Sequence, residues 1–505
     1  MSGSFLGRQL RRGHVVVAHF ASLGLVSALV LAASAGGASA AVPSPTVEGP
    51  ITGGKGTPFV VSTSFDLAQV GYTQQEYFIS GTASAYTSTN TMAPDGKWTA
   101  VPGSSAPYKT RILVYLPAKP KKFKGTVVVE WLNVTAGLDA APDWTATHTE
   151  LIRDGFAWVG VSAQKVGVEG GTTIFGTPSI AALKVVDPVR YGSLSHPGDS
   201  FSYDIFSQAA QAILHPTSVS PLGTLKLKTV LAAGDSQSAF RLVTYINAIH
   251  QSAALFDGFL VHSRGSLGAA LSEAPQPAIG VLGSAPVRDD LAPVLILETE
   301  TDLITLDYFA ARQADSDLVR VWEVAGTAHA DAYGLAVGNT DTGKAAVDTT
   351  YSPPVTSIAG FITCDMPINA GPQHYVESAA IWALNRWVQK GTPPAQAPGL
   401  DVVAGTPPAI TRDTHGSAVG GIRTPQVDVP IATLSGGGQT GSSFCFLFGT
   451  TTPFDSTTLA SLYPKHSTYV SAVKKAKNAA VKAGFILKVD ATAISAAATK
   501  SNIGK

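Results

Sequence analysis

Six short apolar runs along the middle of the chain restrict its fold more than any other feature. They are TVVVEWL at Thr126–Leu132, AWVGVS at Ala157–Ser162, TVLAA at Thr229–Ala233, GFLVH at Gly258–His262, PVLIL at Pro293–Leu297 and VRVWEV at Val319–Val324. Each is short and nearly continuous in apolar character, as a strand covered on both faces must be. Segments with helical spacing stand between several of them, at Asp143–Arg153, Ser202–Leu214 and Ser238–Ile249. Strands alternating with helices build a parallel sheet, because a parallel crossover needs a long connection and a helix supplies it. The expected fold class is therefore α/β, with a doubly wound, mostly parallel sheet. From about Phe59 to Leu116 the runs FVVSTSFDL, QQEYFISGTASAY and TRILVYLP look like strands with no helices between them. They predict antiparallel N-terminal strands at the sheet edge.

Gly167–Ser200 interrupts this rhythm with Gly, Pro and Ser between a strand and a helix. A segment of that length is expected to be a lid-like insertion over a site or a disordered insert. AAIWALNRWVQ at Ala379–Gln389 reads as an amphipathic helix stopped by Gly391-Thr-Pro-Pro. The Ala- and Lys-rich tail from Ser467 to Lys500 reads as two helices meeting near Gly484-Phe485. No internal repeat is visible.

The N-terminus has the layout of an export signal. Arg8, Arg11 and Arg12 precede an apolar run from Val15 to Ala33, and small residues end in Ala38-Ser39-Ala40. That order matches a charged region, an apolar region and a small-residue cleavage site. His19, Ser22 and Gly24 interrupt the run, which argues against a membrane anchor. The expected organisation is a signal peptide over 1–40 and one domain over 41–505, with the insertion at about 167–200 and a C-terminal helical extension. The mature protein is expected to be secreted or periplasmic, with no stable membrane span after signal removal. In such a compartment Cys364 and Cys445 favour one disulfide over two buried thiols. Charged residues make up 14% of the chain, with 35 Lys+Arg against 35 Asp+Glu. A balanced, weakly charged surface excludes a nucleic-acid partner, which requires a dense basic face.

The stretch VLAAGDSQSAF at Val230–Phe240 supplies the chemistry. A strand that turns sharply into a helix lifts one side chain above the sheet, and small neighbours two positions to either side prevent clashes. Here Gly234 and Ser238 flank Ser236, a G-x-S-x-S pattern where G-x-S-x-G is usual. The strand before and the helix after are the context such a nucleophile requires. A serine hydroxyl needs a base to take its proton and an acid to orient that base. In this architecture the chain order is Ser, acid, His, on successive strand ends. ETETDL follows PVLIL and offers Asp302, with Glu300 as the alternative acid; AGTAHADAY follows VRVWEV and offers His329. Asp302 is placed in a loop past the strand, and Glu298 is expected to point into the sheet. The oxyanion donors are expected from the backbone of Gln237, at the helix N-terminus, and of Asn133 or Val134, in the EWLNVTAG loop. Asn133-Val-Thr135 is also a glycosylation sequon, read as chance because a sugar there obstructs the site. Arg264 is expected in a structural salt bridge, and Gln373-His374 in a capping turn.

With EWLNVTAG, GDSQSAFRLVTYINA, FDGFLVHSRG, ETETDL, RVWEVAGTAHADAY and INAGPQHYV, the chain resembles the α/β-hydrolase superfamily. It is more closely similar to exported bacterial proteins of the alpha/beta hydrolase domain type. The resemblance covers about Gly71 to the C-terminus. It implies the α/β-hydrolase fold, with Ser236 as nucleophile and His329 as base, and leaves Asp302 against Glu300 open. The expected function is hydrolysis of a small-molecule or polymeric carboxylic ester through an acyl-enzyme. That chemistry requires no metal and no organic cofactor. Acyl transfer by the same residues is an alternative, as is a binding protein on a hydrolase scaffold.

Overall fold

The computed structural model describes residues 42–505, apart from 174, 175, 180, 339 and 359–361. The signal peptide expected over 1–40 lies outside the described residues. Nine strands pair into one sheet: β1 (Thr46–Glu48), β2 (Tyr72–Ser88), β3 (Ala100–Pro117), β4 (Thr126–Trp131), β5 (Ala157–Val161), β6 (Thr229–Asp235), β7 (Gly258–His262), β8 (Val294–Thr299) and β9 (Val319–Val324). Their order across the sheet is β1-β2-β3-β5-β4-β6-β7-β8-β9. β1, β2 and β3 are antiparallel, and β3 meets β5 antiparallel. From β5 to β9 every pairing is parallel. The α/β class with a mostly parallel sheet expected from the alternating runs is the one observed, and so is the α/β-hydrolase fold that the resemblance implies.

Strand pleating explains why those runs are continuous. In β4, Val127, Val129 and Trp131 enter the core on one face, with Phe206 and Leu242 of helices Ser202–Leu214 and Gln237–Thr244. Val128 enters the core on the other face, with Leu151 and Ala380 of helices Pro142–Arg153 and Gln373–Lys390. Helices cover both faces, so neither set of alternating positions is free to be polar. Each fully buried Val or Leu adds about 2 kcal/mol of transfer free energy.

Three segments differ from expectation. FVVSTSFDL is not a strand; it leads into a 3₁₀ turn at Leu67–Val70, with the Asp66 carboxylate accepting from the Ala68 N–H at 2.9 Å. Short polar side chains that bond their own backbone compete with a sheet ladder. Val61 instead pairs singly with the Asp139–Ala141 backbone. The helix expected at Ser238–Ile249 begins at Gln237, changes to a π turn over Tyr245–Ile249 and ends at Ala253. The 167–200 segment folds into helical turns at Lys165–Glu169, Leu183–Val186 and Pro188–Tyr191. Val168, Leu183, Tyr191 and Leu194 pack on Phe78 of β2. Arg190 Nε and Tyr191 Oη donate to the two oxygens of Glu76 at 2.5 and 2.9 Å. This segment therefore packs on the antiparallel end of the sheet at Phe78 and Glu76, while helix Ser202–Leu214 bonds β2 farther along through Asp204 and Gln208.

The C-terminal helices His466–Ala483 and Lys488–Lys500 are joined at Gly484, whose φ of 88° suits a residue without a Cβ. Cys364 and Cys445 form a disulfide, S–S 2.04 Å. Among the described residues no helix is long and apolar enough to cross a membrane.

Candidate active site

Ser236 occupies the bend between β6 and the Gln237–Thr244 helix, at φ 55° and ψ −120°. A non-glycine residue there carries backbone strain of about 1–3 kcal/mol, which the surrounding structure must offset. Its N–H donates to the His262 carbonyl at the end of β7, 2.9 Å away. The small neighbours have a steric cause. A Cβ on Gly234 stands 3.0 Å from Leu242 Cδ1 and 3.2 Å from the Ser238 carbonyl carbon. Ser238 is fully buried, so the position that usually holds Gly tolerates a side chain of this size.

Ser236 Oγ lies 2.8 Å from His329 Nε2, and His329 Nδ1 lies 2.6 Å from Asp302 Oδ1. The structure thus joins the three residues, drawn from the ends of β6, β8 and β9, in one hydrogen-bonded chain. Asp302 is not in a loop, as expected, but in the first turn of helix Glu300–Ile304. Thr299 caps that helix, and its N–H and hydroxyl donate to Asp302 Oδ2 at 2.7 and 2.6 Å. Burial by itself raises the Asp302 pKa. Its interaction with the His329 ring, with the hydrogen bonds from His329 and Thr299, outweighs burial and holds the carboxyl below its ordinary value. Glu300, the alternative acid, is engaged elsewhere. Its oxygens accept from the Gly326 and Gly436 N–H groups at 2.6 and 3.0 Å and pair with Arg412 at 2.7 Å. Glu298 is fully buried at the end of β8, and burial, then the Asp302 charge, raise its pKa well above the carboxylate range.

The oxyanion expectation needs a correction. The Asn133 N–H already donates to the Ala140 carbonyl at 2.9 Å, which closes a small loop, so it is not a free donor. The Asn133 side chain instead spans the site, donating to the Asp235 carbonyl at 3.1 Å and accepting from the Thr135 N–H at 2.8 Å. With its nitrogen so used and 9% of its surface exposed, Asn133 is closed to a glycan. The Val134 N–H has no partner among the described residues. Gln237 N–H, at the first helical position, has no intrahelical acceptor.

Ser236 and His329 open on a cavity of about 290 Å³. Val61, Leu138, Leu335, Ile362, Phe444, Leu447 and Phe448 give it apolar walls. The Cys364–Cys445 bridge ties together the two segments that carry Ile362 and Phe444–Phe448. No residue of the 167–200 segment lines this cavity among the described residues. The segment stands behind the 133–140 loop instead, where Gly167 abuts Val134 and Asp139. Arg264 is also away from it, fully buried and held by the carbonyls of Gly265, Ser266 and Ala285 rather than by a carboxylate.

One group of polar residues in the wall was not singled out by the sequence. His262, at the end of β7, has Nδ1 3.1 Å from Asp143, 3.5 Å from Asp235 and 3.6 Å from Glu377. Its Nε2 lies 2.7 Å from the Gln373 side-chain nitrogen. Burial, then the neighbouring carboxylates, raise Asp235 and Glu377 well above the usual carboxylate range. Gln373 and His374 open the helix Gln373–Lys390 rather than only capping a turn, and both line the cavity. Burial pushes His374 down to about 3, so its imidazole is neutral. The signal that could have found this group was His262 at the end of a parallel strand, one strand over from Ser236.

No curated protein matches the chain. Among solved structures, the similar ones include fungal esterases from Rhizomucor miehei, at 10% identity, covering 48% of this chain and 74% of that one with a TM-score of 0.24. A glucuronoyl esterase from Solibacter usitatus is similar at 11% identity, covering 51% and 68%, with a TM-score of 0.25. The family model described as "Alpha/beta hydrolase domain" matches residues 47–496. Match, sheet order and strand-to-helix bend agree, and the chain belongs to the alpha/beta hydrolase domain family.

Proposed function

We propose that the protein is an exported serine hydrolase that cleaves a carboxylic ester through an acyl-enzyme. The observation that carries this reading is the hydrogen-bonded chain Ser236–His329–Asp302 opening on an apolar cavity. Ser236 Oγ attacks the acyl carbon as its proton passes to His329 Nε2. Asp302 holds the imidazole with Nδ1 protonated and stabilises the imidazolium that forms. The N–H groups of Gln237 and Val134 receive the oxyanion. His329 returns the proton to the leaving alcohol, and water, activated by His329, releases the acid and restores Ser236. The apolar walls favour an apolar acyl or alcohol group over a charged one. The apolar run after Arg12 and the Cys364–Cys445 bridge support export, since disulfides persist in oxidising compartments.

Turnover of p-nitrophenyl acetate tests the reading. Wild-type protein is expected to release p-nitrophenol, and Ser236→Ala is expected to lose about 10⁴-fold or more of that rate. Full activity in the alanine variant refutes it. A series of p-nitrophenyl esters of rising chain length then measures how long an acyl group the cavity accepts.

A further inference from the structure

We infer that Asp143, His262 and Glu377 form a binding site for a divalent transition-metal cation, of which Zn²⁺ is the first choice, in the cavity wall beside Ser236. The three side chains come from the first turn of helix Pro142–Arg153, the end of β7 and the first turns of helix Gln373–Lys390. One ligating atom of each lies within 4.8 Å of the others. His262 Nδ1 is 3.1 Å from Asp143 Oδ1 and 3.6 Å from Glu377 Oε1. Bonds of 2.0–2.2 Å at tetrahedral angles place ligand atoms ~3.4 Å apart, so these separations suit an ion between them.

A second observation points to a ligand. Glu377 is 0% exposed, and neither of its oxygens has a hydrogen-bond partner; Asp143 Oδ2 is equally bare. A buried, unsatisfied carboxylate is costly unless something cationic meets it. No Lys or Arg pairs with Asp143, Asp235 or Glu377 among the described residues; His262 is their shared partner. Glu130, the remaining acid nearby, is already satisfied by the N–H groups of Asp143, Trp144 and the Trp158 indole.

Two other cations are less suitable. A substrate ammonium would stay on the cavity side of Glu377, whose two oxygens present almost no surface to it. A proton shared between Asp143 and Glu377 bonds one oxygen of each but leaves the second Glu377 oxygen bare, and it brings no positive charge to the group. A small ion satisfies all three side chains together. Gln373 sits where an outer partner belongs, 2.7 Å from His262 Nε2. With that amide turned so that its oxygen accepts from Nε2–H, Nδ1 presents its lone pair to the ion. One imidazole with a few carboxylates suits Zn²⁺ or Mn²⁺, whereas Ca²⁺ takes six to eight oxygens. The Ser236 chemistry does not depend on this ion, so the two readings fail separately.

The test uses full-length mature protein, free of any affinity tag, stripped with EDTA and then given one equivalent of ZnCl₂. One zinc per chain is expected to survive desalting by elemental analysis, and the melting temperature is expected to rise with added Zn²⁺. Glu377→Gln and Asp143→Asn are each expected to weaken zinc binding by about 100-fold or more. Glu377→Gln removes an uncompensated buried charge, so its metal-free form is expected to melt no lower than wild type. Wild-type protein that retains no zinc, or equal zinc in wild type and both variants, overturns the inference. So does a melting temperature that responds to Zn²⁺ equally in all three.

Discussion

Ser236 is held at a positive φ that most residues avoid, and the hydrogen bond to His262 and the tight fit at Gly234 keep it there. Gly234→Ala therefore places a methyl against Leu242 and the start of the helix, and is expected to lower the melting temperature and the turnover together. The two acids of ETETDL separate by partner. Asp302→Asn leaves the His329 tautomer unfixed and is expected to lower kcat by about 10⁴. Glu300→Gln is expected to keep turnover within about tenfold and to cost about 2 kcal/mol, because it weakens contacts to two N–H groups and Arg412. Steady-state kinetics with urea melts separate these outcomes. Ser236 and His329 were legible because each follows a recognisable strand. Asp302 was not separable from Glu300 by sequence, since the choice depends on which carboxylate the Gly326 and Gly436 N–H groups take.

At the level of elements, the loop over 133–140 owes its position to a buried ion pair. Arg111 Nη2 lies 2.5 Å from Asp139 Oδ2, and the same guanidinium reaches the Phe59 carbonyl. Both side chains are fully buried. Asp139→Asn leaves Arg111 and Arg190 sharing the single buried carboxylate of Glu76, which is expected to cost about 3–5 kcal/mol. It is also expected to lower kcat more than it changes KM, because the loop carries the Val134 N–H. The disulfide spans 81 positions, so Cys364→Ser with Cys445→Ser is expected to cost up to about 4 kcal/mol through a freer unfolded chain. Its wall residues Ile362 and Phe444 are expected to loosen, raising KM for long acyl esters. The strands of the parallel half were readable because two covered faces demand continuous apolar sequence. FVVSTSFDL misled for a local reason, since its apolar start pairs with the 139–141 backbone and not with the sheet. The 167–200 segment gave no sign of its location, because its partners Phe78 and Glu76 lie in β2.

For the molecule as a whole, buried acids set the pH response. Burial pushes Asp331 up to about 7, although the Gly334 and Tyr333 N–H groups oppose this. Below pH ~4 both folded and unfolded chains hold this proton. Between there and its folded pKa the unfolded chain alone has ionised, so this group's contribution to stability declines as pH rises. Asp331→Asn is therefore expected to gain on the order of 2 kcal/mol relative to wild type between pH 4 and pH 8, measured by urea unfolding at both. The cluster of Asp143, His262 and Glu377 was invisible at this scale of the sequence, with Asp143 and His262 119 positions apart. Only the packing of helices Pro142–Arg153 and Gln373–Lys390 against β7 brings them together. The nucleophilic role of Ser236 is tested most directly by labelling with a fluorophosphonate, followed by peptide mass mapping. Wild-type protein is expected to carry a single adduct on the Ser236 peptide, and His329→Ala is expected to lose most of it. An adduct on another serine, or none on a folded protein that still turns over p-nitrophenyl acetate, contradicts the assignment.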